Sequence, residues 1–194
     1  LDNPQGRALS GTLTATLRDG ERTIATSSVA VTGAQLRIDM GGLEGIRLWE
    51  LADPALYHLD LVLETPAGRD ETSTRFGFRE VSFTTQGFAL NGKPLKLRGL
   101  NRHQSFPYVG YAMGRAAQER DAEILKYELR VNTVRTSHYP QSHWFLDRCD
   151  EIGLMVFEEI PGWQHIGGAA WQAEAVENVR RMIRRDWNHP SIFI

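Results

Sequence analysis

The sequence predicts an all-β domain followed by a parallel α/β domain. Three observations carry this. From Gly11 to Glu64 the chain is a series of short β-rich runs parted by turn residues. From Leu95 onward strand-like runs alternate with amphipathic helical ones, which demands a parallel sheet with right-handed crossovers. Three of those strand-like runs begin apolar and end on polar, chemistry-bearing side chains, the way a parallel α/β barrel equips its active-site face.

The all-β part is assigned to residues 1–78. Gly11 to Leu17 alternates, Arg18-Asp19-Gly20-Glu21 is a turn, and Thr23 to Thr32, Gln35 to Met40 and Tyr57 to Glu64 are β-rich. Strands at this spacing suggest a sandwich of immunoglobulin-like size. The single cysteine, Cys149, rules out an internal disulfide and reads as a small buried hydrophobe. Trp49, ahead of Asp53-Pro54, reads as packing of the sandwich and its corner.

The pattern changes after Phe78, and residues 79–194 form the second part. Val81 to Thr85 and Gly87 to Leu90 read as a hairpin, with Asn91-Gly92 turning into a third strand. Leu95 to His103 is the first strand of the alternating series. Ala116 to Leu129 is helical. Val131 to Pro140 (V-N-T-V-R-T-S-H-Y-P) is the second strand and its exit. Ser142 to Ile152 is a helix with Ser142 as N-cap and Gly153 as stop. Leu154 to Glu159 is the third strand, Ala169 to Trp187 the third helix, and Ser191 to Ile194 opens a fourth strand. Periodicity alone leaves a doubly wound sheet and the first half of an eight-stranded barrel both open. The absence of a G-x-G-x-x-G loop after the first strand disfavours a nucleotide-binding domain.

Composition is that of an ordinary globular chain: 194 residues, 41% hydrophobic, 24% charged, net charge −2. Nothing there points to nucleic acid or an anionic membrane, and no apolar run approaches the roughly 20 residues of a membrane span. The chain starts at Leu1 without an initiator Met, so the lack of a signal peptide leaves the compartment open.

The strand ends hold the candidate chemistry. Arg135 and His138 share the second. Arg135 either makes a structural ion pair or fixes a carboxylate bidentately, and His138 either satisfies a loop hydrogen bond or donates to a ligand hydroxyl. Asn101, Arg102 and His103 pose the same choice at the first strand, where Gly99 marks a close backbone approach. Glu158 and Glu159 end the third. As neighbours on a strand they point to opposite faces, so they do not form a catalytic pair; Glu159 is expected to face the barrel mouth and Glu158 to be structural. Trp163 reads as a sugar platform or as lid packing. Trp144, Trp171 and Trp187 read as helix packing. His165 has no second ligand at metal-binding spacing.

Five runs together resemble glycoside hydrolase family 2: F-G-F-R-E-V (Phe76 to Val81), N-G-K-P-L-K-L-R-G-L-N-R-H (Asn91 to His103), N-T-V-R-T-S-H-Y-P (Asn132 to Pro140), D-R-C-D-E-I-G-L-M-V-F-E-E (Asp147 to Glu159) and R-D-W-N-H-P-S-I (Arg185 to Ile192). The family holds β-galactosidases, β-glucuronidases and β-mannosidases. The resemblance implies an immunoglobulin-like β-sandwich leading into the first half of a (β/α)8 TIM barrel, with a jelly-roll domain ahead of both in the family pattern. It implies a bacterial retaining β-glycosidase, most like β-galactosidase, acting on a β-glycoside or oligosaccharide, with the choice between cytoplasm and periplasm left open. Arg135 would orient the nucleophile, His103 and His138 would line the sugar subsite, and Asn101, Arg102, Glu159 and Trp163 would support the site.

Both catalytic glutamates of the family pattern fall beyond Ile194, so the chain alone is expected to be inactive. Some β-galactosidases carry a magnesium site after the third strand; His165 matches its His, but Trp163 stands where its Glu is expected, so no metal or cofactor is expected. Open barrel edges lead to an expectation of self-association. The alternatives are a non-catalytic carbohydrate-binding module and a β-glucuronidase or β-mannosidase.

Overall fold

A computed structural model describes Leu1, Asn3, Pro4, Gly6 and residues 9–194. The chain divides into two compact units. One comprises Leu1–Arg47 with Leu56–Phe76, the other Leu48–Ala55 with Gly77–Ile194.

The first unit is built on one antiparallel sheet of β1 (Thr12–Asp19), β2 (Arg22–Ala30), β3 (Tyr57–Thr65) and β4 (Gly68–Phe76), in the order β2-β1-β3-β4. The central strand β1 alternates as its sequence does: Leu13, Ala15 and Leu17 are buried and the residues between them are not. Strand β4, G-R-D-E-T-S-T-R-F, was not legible as a strand. It is an edge strand with a mostly exposed, charged face, which keeps the edge from pairing with other chains. The run Gln35–Met40, expected as a strand, is irregular, as is all of 31–48. Its alternation is correct, but glycines flank it on both sides and it pairs with neither edge of the sheet. Among the described residues the unit therefore holds one sheet rather than two facing ones.

The second unit begins with a three-stranded antiparallel sheet, β5 (Val81–Thr84), β6 (Gly87–Leu90) and β7 (Lys93–Pro94). The turn between β6 and β7 is Asn91-Gly92, both at positive φ (50° and 74°), as a tight hairpin needs. Phe83 and Phe88 from this sheet pack on Phe193, with Phe88 and Phe193 edge-to-face at 5.2 Å.

The parallel sheet follows: β8 (Gly99–Arg102), β9 (Thr133–Thr136) and β10 (Met155–Phe157). Helix α1 (Arg115–Glu123), continued by a π-helical turn at Ile124–Glu128, links the first two strands, and α2 (His143–Ile152) links the next two. After α3 (Ala169–Asp186) the chain returns beside β10. The N–H of Val156 donates to Ser191 O at 2.8 Å, that of Phe193 to Val156 O at 3.1 Å, and that of Glu158 to Ile194 O at 2.8 Å. The spatial order β8-β9-β10-(191–194) is thus the chain order. A doubly wound sheet reverses its order at a switch point, and this one does not. With right-handed crossovers, an unreversed order puts every helix on one face, as in a barrel wall.

That face is the core. Ala122 and Leu125 from the α1 region, Phe145, Leu146 and Cys149 from α2, and Leu154, Val134 and Val156 from the strands are all buried in one cluster. Gly99 lies so close to β9 that a Cβ there would stand 2.6 Å from Thr133 O, which accounts for a glycine inside a strand.

Three sequence readings are corrected here. Trp49 packs in the second unit, not in the β domain: it is fully buried and its indole N–H donates to Asp150 O in α2 at 2.8 Å. Ser142 occupies the N-cap position of α2 without capping by its hydroxyl; its backbone N–H donates instead to Gln104 Oε1 at 2.6 Å. Trp187 is not packed but 70% exposed, and Val176 and Ile183 on α3 are exposed with it.

Gly153 ends α2 in the left-handed region (φ 71°), and a Cβ there would stand 2.4 Å from Leu51 O. Lys126 Nζ donates to both carbonyls, Leu51 O at 2.8 Å and Gly153 O at 2.7 Å. Gly153→Ala is therefore expected to cost on the order of 1–3 kcal/mol. Urea denaturation of the two proteins measures it, and an unchanged midpoint would contradict the close approach of 48–55 to the end of α2.

Candidate active site

Side chains alternate along the parallel strands, and this sorts the polar residues into two groups. Val134, Thr136, Val156 and Glu158 face the helices. Asn101, Arg135 and Glu159 face the other side, with Asn101 directly in register with Arg135. The two adjacent glutamates therefore have separate environments.

On the open side, Arg135 holds Glu159 bidentately, Nε to Oε2 at 2.9 Å and Nη2 to Oε1 at 3.1 Å. The backbone N–H of Glu159 donates to Thr136 Oγ1 at 3.1 Å, so the strand beneath sets the carboxylate's position. His138 Nδ1 lies 3.1 Å from Glu159 Oε1 and 3.3 Å from Oε2. Arg135 Nη2 lies 3.4 Å from the same imidazole nitrogen, so the three side chains form one cluster. Trp163, 62% exposed, stacks on the His138 imidazole at 4.8 Å and 21°. His103 meets the same imidazole edge-on at 5.5 Å. Asn101 is exposed beside this group and His103 is exposed at its rim.

Arg102 belongs to the other side. It is 6% exposed, stacks 4.0 Å over the Phe145 ring, and donates to Asp121 Oδ2 at 2.8 and 3.0 Å and to Gln118 Oε1 at 2.7 Å. It anchors the end of β8 to α1 and does not reach the Arg135 cluster. Arg135, His138, Glu159, Trp163 and His103 thus come together, Asn101 flanks them, and Arg102 works from behind.

Comparison with known proteins follows from this geometry. The family description "Glycosyl hydrolases family 2" matches residues 1–79, and "Glycosyl hydrolases family 2, TIM barrel domain" matches residues 81–194. The chain belongs to glycosyl hydrolases family 2. A β-galactosidase of Thermoanaerobacterium thermosulfurigenes is 60% identical over 152 residues, 78% of this chain and 21% of that protein. A β-galactosidase of Rhizobium meliloti is 49% identical over 164 residues, 83% of this chain and 22% of that one. The crystal structure of Parabacteroides merdae β-glucuronidase aligns with a TM-score of 0.89 at 33% identity, covering 99% of this chain and 24% of that one. The chain spans about a fifth of the length of the curated relatives it matches.

The magnesium site of some family 2 β-galactosidases does not fit the residues here. Magnesium is held by oxygen ligands, and Trp163, at the position of the expected Glu, offers none and stacks on His138. His165 packs edge-on against Trp171 at 5.4 Å.

Two further polar networks were not legible in the family 2 motifs. Asp150, buried in α2, accepts from the Ser191 N–H at 3.0 Å and the Ser191 hydroxyl at 2.5 Å, and its other oxygen faces His189 Nδ1 at 2.5 Å. Burial lowers the His189 pKa most, but the bond to Asp150 and the charges of Asp150, Asp147 and Asp186 together outweigh it and the net shift is upward. Glu158, buried on the helix face, has its pKa pushed up to about 8 by burial first and then by its hydrogen bond to Asp186 and that group's charge, with Arg185 opposing. Arg185 bridges the two, Nε to Asp186 Oδ1 and Oδ2 at 2.8 Å and Nη2 to Glu158 Oε1 at 3.3 Å.

Folded Glu158 keeps its proton up to about pH 8, whereas an unperturbed glutamate loses it near 4.5. Its contribution to stability is full below the unfolded value and is lost as pH rises through the folded one. His189, also shifted upward, adds a fall of the same sign. The melting temperature is expected to drop between pH 5 and pH 8, and Glu158→Gln to flatten that slope without abolishing it; calorimetry over that range checks both, and an equally steep slope in the variant would refute the assignment.

Proposed function

We propose that the protein is a retaining β-glycosidase of the β-galactosidase type, in which this chain supplies one wall of the sugar site. In this reading residues 1–78 are the family's immunoglobulin-like β-sandwich and residues 79–194 the first half of its TIM barrel. The observation that carries it is the Arg135–Glu159–His138 cluster, set at the C-terminal ends of parallel strands ordered as in a barrel and roofed by Trp163. That combination suits a sugar: charged and imidazole groups for its hydroxyls and an indole for its apolar face. The relatives named β-galactosidase support the same reading.

Arg135 spends Nε and Nη2 on Glu159, which leaves Nη1 to orient a second carboxylate, the nucleophile. His138, held at Glu159 through Nδ1, would hydrogen-bond a sugar hydroxyl through Nε2. His103 lines the same subsite, and Asn101 and Arg102 support it. Retention needs two carboxyl groups about 5 Å apart on either side of the scissile bond. The cluster holds one carboxylate, Glu159, already clamped by Arg135 and His138, so neither catalytic glutamate is assigned within it. No metal or cofactor is invoked.

A β-glucuronidase is the second reading, favoured by the Parabacteroides merdae structure. A glucuronide brings a carboxylate that needs a cation; the higher identity to the relatives named β-galactosidase favours the first reading.

The full-length protein is expected to cleave an aryl β-galactoside in preference to the matching glucuronide, mannoside and glucoside. In it, Arg135→Ala is expected to lower kcat by about 100-fold, because a misplaced nucleophile loses near-attack geometry, with KM changed less. The 194-residue chain alone is expected to leave every member of the panel intact. A full-length protein that binds galactose and cleaves nothing would make this a binding module.

Strand β8 has one neighbour, and apolar side chains of α3 are exposed. We expect the isolated chain to self-associate through them; a stable monomer mass in light scattering would contradict this.

A further inference from the structure

Five aromatic rings run in an unbroken line across the strand ends of the second unit. Trp163 stacks on His138; His138 meets His103 at 5.5 Å; His103 meets Tyr139 at 6.2 Å; Tyr139 meets Tyr111 edge-to-face at 5.6 Å and 87°. The two halves differ in chemistry. The Trp163–His138–His103 half stands beside Arg135 and Glu159. Among the described residues the Tyr139–Tyr111 half has no charged side chain hydrogen-bonded to either ring, and Tyr111 is 68% exposed.

The tyrosine half is also held in shape. The Tyr139 hydroxyl accepts the Gln104 N–H at 3.1 Å, one residue after His103. Tyr111 sits on a small closed loop. Phe106 and Gly110 exchange backbone hydrogen bonds at 3.1 and 2.9 Å, and the Ala112 N–H donates to Val109 O at 3.1 Å. The tip residue, Tyr108, is fully exposed at φ 72°. An exposed aromatic surface on a loop closed by its own backbone bonds is prepared for a flat ligand before the ligand arrives.

We infer that Tyr111, backed by Tyr139 on the loop at 106–111, is the platform for the leaving-group ring of the glycoside. The inference rests on the β-glycosidase reading above for the identity of the ligand. A glycoside carries a hydroxylated ring on one side of the scissile oxygen and an aryl, apolar or second sugar ring on the other. The charged half of the aromatic line suits the first and the tyrosine half suits the second, and the two share the His103 ring as their boundary.

The test uses the full-length protein, its Tyr111→Ser and Tyr111→Phe variants, and two non-hydrolysable ligands, 4-nitrophenyl and methyl 1-thio-β-D-galactoside, titrated by calorimetry. If the hydrolysis panel names another sugar, the thioglycosides of that sugar replace them. Tyr111→Ser is expected to weaken the aryl ligand about tenfold, the worth of one aromatic contact, and to leave the methyl ligand unchanged. Tyr111→Phe keeps the ring and is expected to bind both as the parent does. Equal weakening of both ligands would overturn the proposal and make Tyr111 a support of the sugar site. No weakening of either would overturn it too, and a simultaneous drop in mass by sedimentation would show the loop to be a contact between copies. Absence of binding to both ligands in the unaltered protein would likewise overturn it. If the unaltered protein hydrolyses nothing yet discriminates the ligands through Tyr111 as expected, the hydrolase reading fails and the platform stands.

Discussion

The second unit hangs on one buried carboxylate. Asp150 sits in the last turn of α2, and its side chain reaches to Ser191 and His189 while its backbone carbonyl accepts the Trp49 indole N–H. A buried charge is tolerated only when its oxygens are matched by donors, and here the donors come from two distant stretches of chain. Residues 48–55 are thereby held to the core from one side, and the segment feeding 191–194 from the other. Only with Ser191 in place can Val156 and Glu158 find their backbone partners at 191 and 194. The extension of the parallel sheet beyond β10 thus depends on a helix side chain.

From that sheet the site follows by parity. Val134, Thr136, Val156 and Glu158 are the even-numbered members that meet helices, so Arg135 and Glu159 must meet whatever lies opposite. The chain uses the parity twice. On the helix side, burial keeps Glu158 protonated and hydrogen-bonded to Asp186 and Arg185. On the open side, Arg135 keeps Glu159 paired in bidentate geometry. One dipeptide therefore contributes a buried proton to packing and a fixed carboxylate to the cluster, with the Thr136 hydroxyl beneath tying the second to the first strand pair.

Much of this was legible without coordinates, where the signal was local. The strand-helix alternation, the Asn91-Gly92 turn, the stop at Gly153 and the opposite facing of Glu158 and Glu159 all follow from residue chemistry within a few positions. The close approach at Gly99 was anticipated as well, although its partner, Thr133, was not. What escaped was either too polar or too distant. Strand β4 carries Arg69, Asp70 and Glu71 on an exposed edge, so its pairing with β3 supplies the order that its composition hides. Gln35–Met40 has the right alternation and no partner. Trp49 finds its acceptor 101 residues away, and the Asp150–His189–Ser191 contacts span about 40. Nothing in the sequence around His189 says that this histidine meets a buried aspartate.

The aromatic line has the same origin in long-range placement. Tyr111, Tyr139, His103, His138 and Trp163 come from the exits of three strands, and no spacing in the chain relates them. What relates them is the sheet. Because β8, β9 and β10 lie in chain order, their three exits are adjacent in space, and each exit delivers a ring to its neighbour's. A doubly wound sheet would have split those exits about its switch point. The unreversed strand order that identifies the barrel wall is thus also what assembles a graded surface, polar at Arg135 and Glu159 and purely aromatic at Tyr111, out of residues that are unremarkable one at a time.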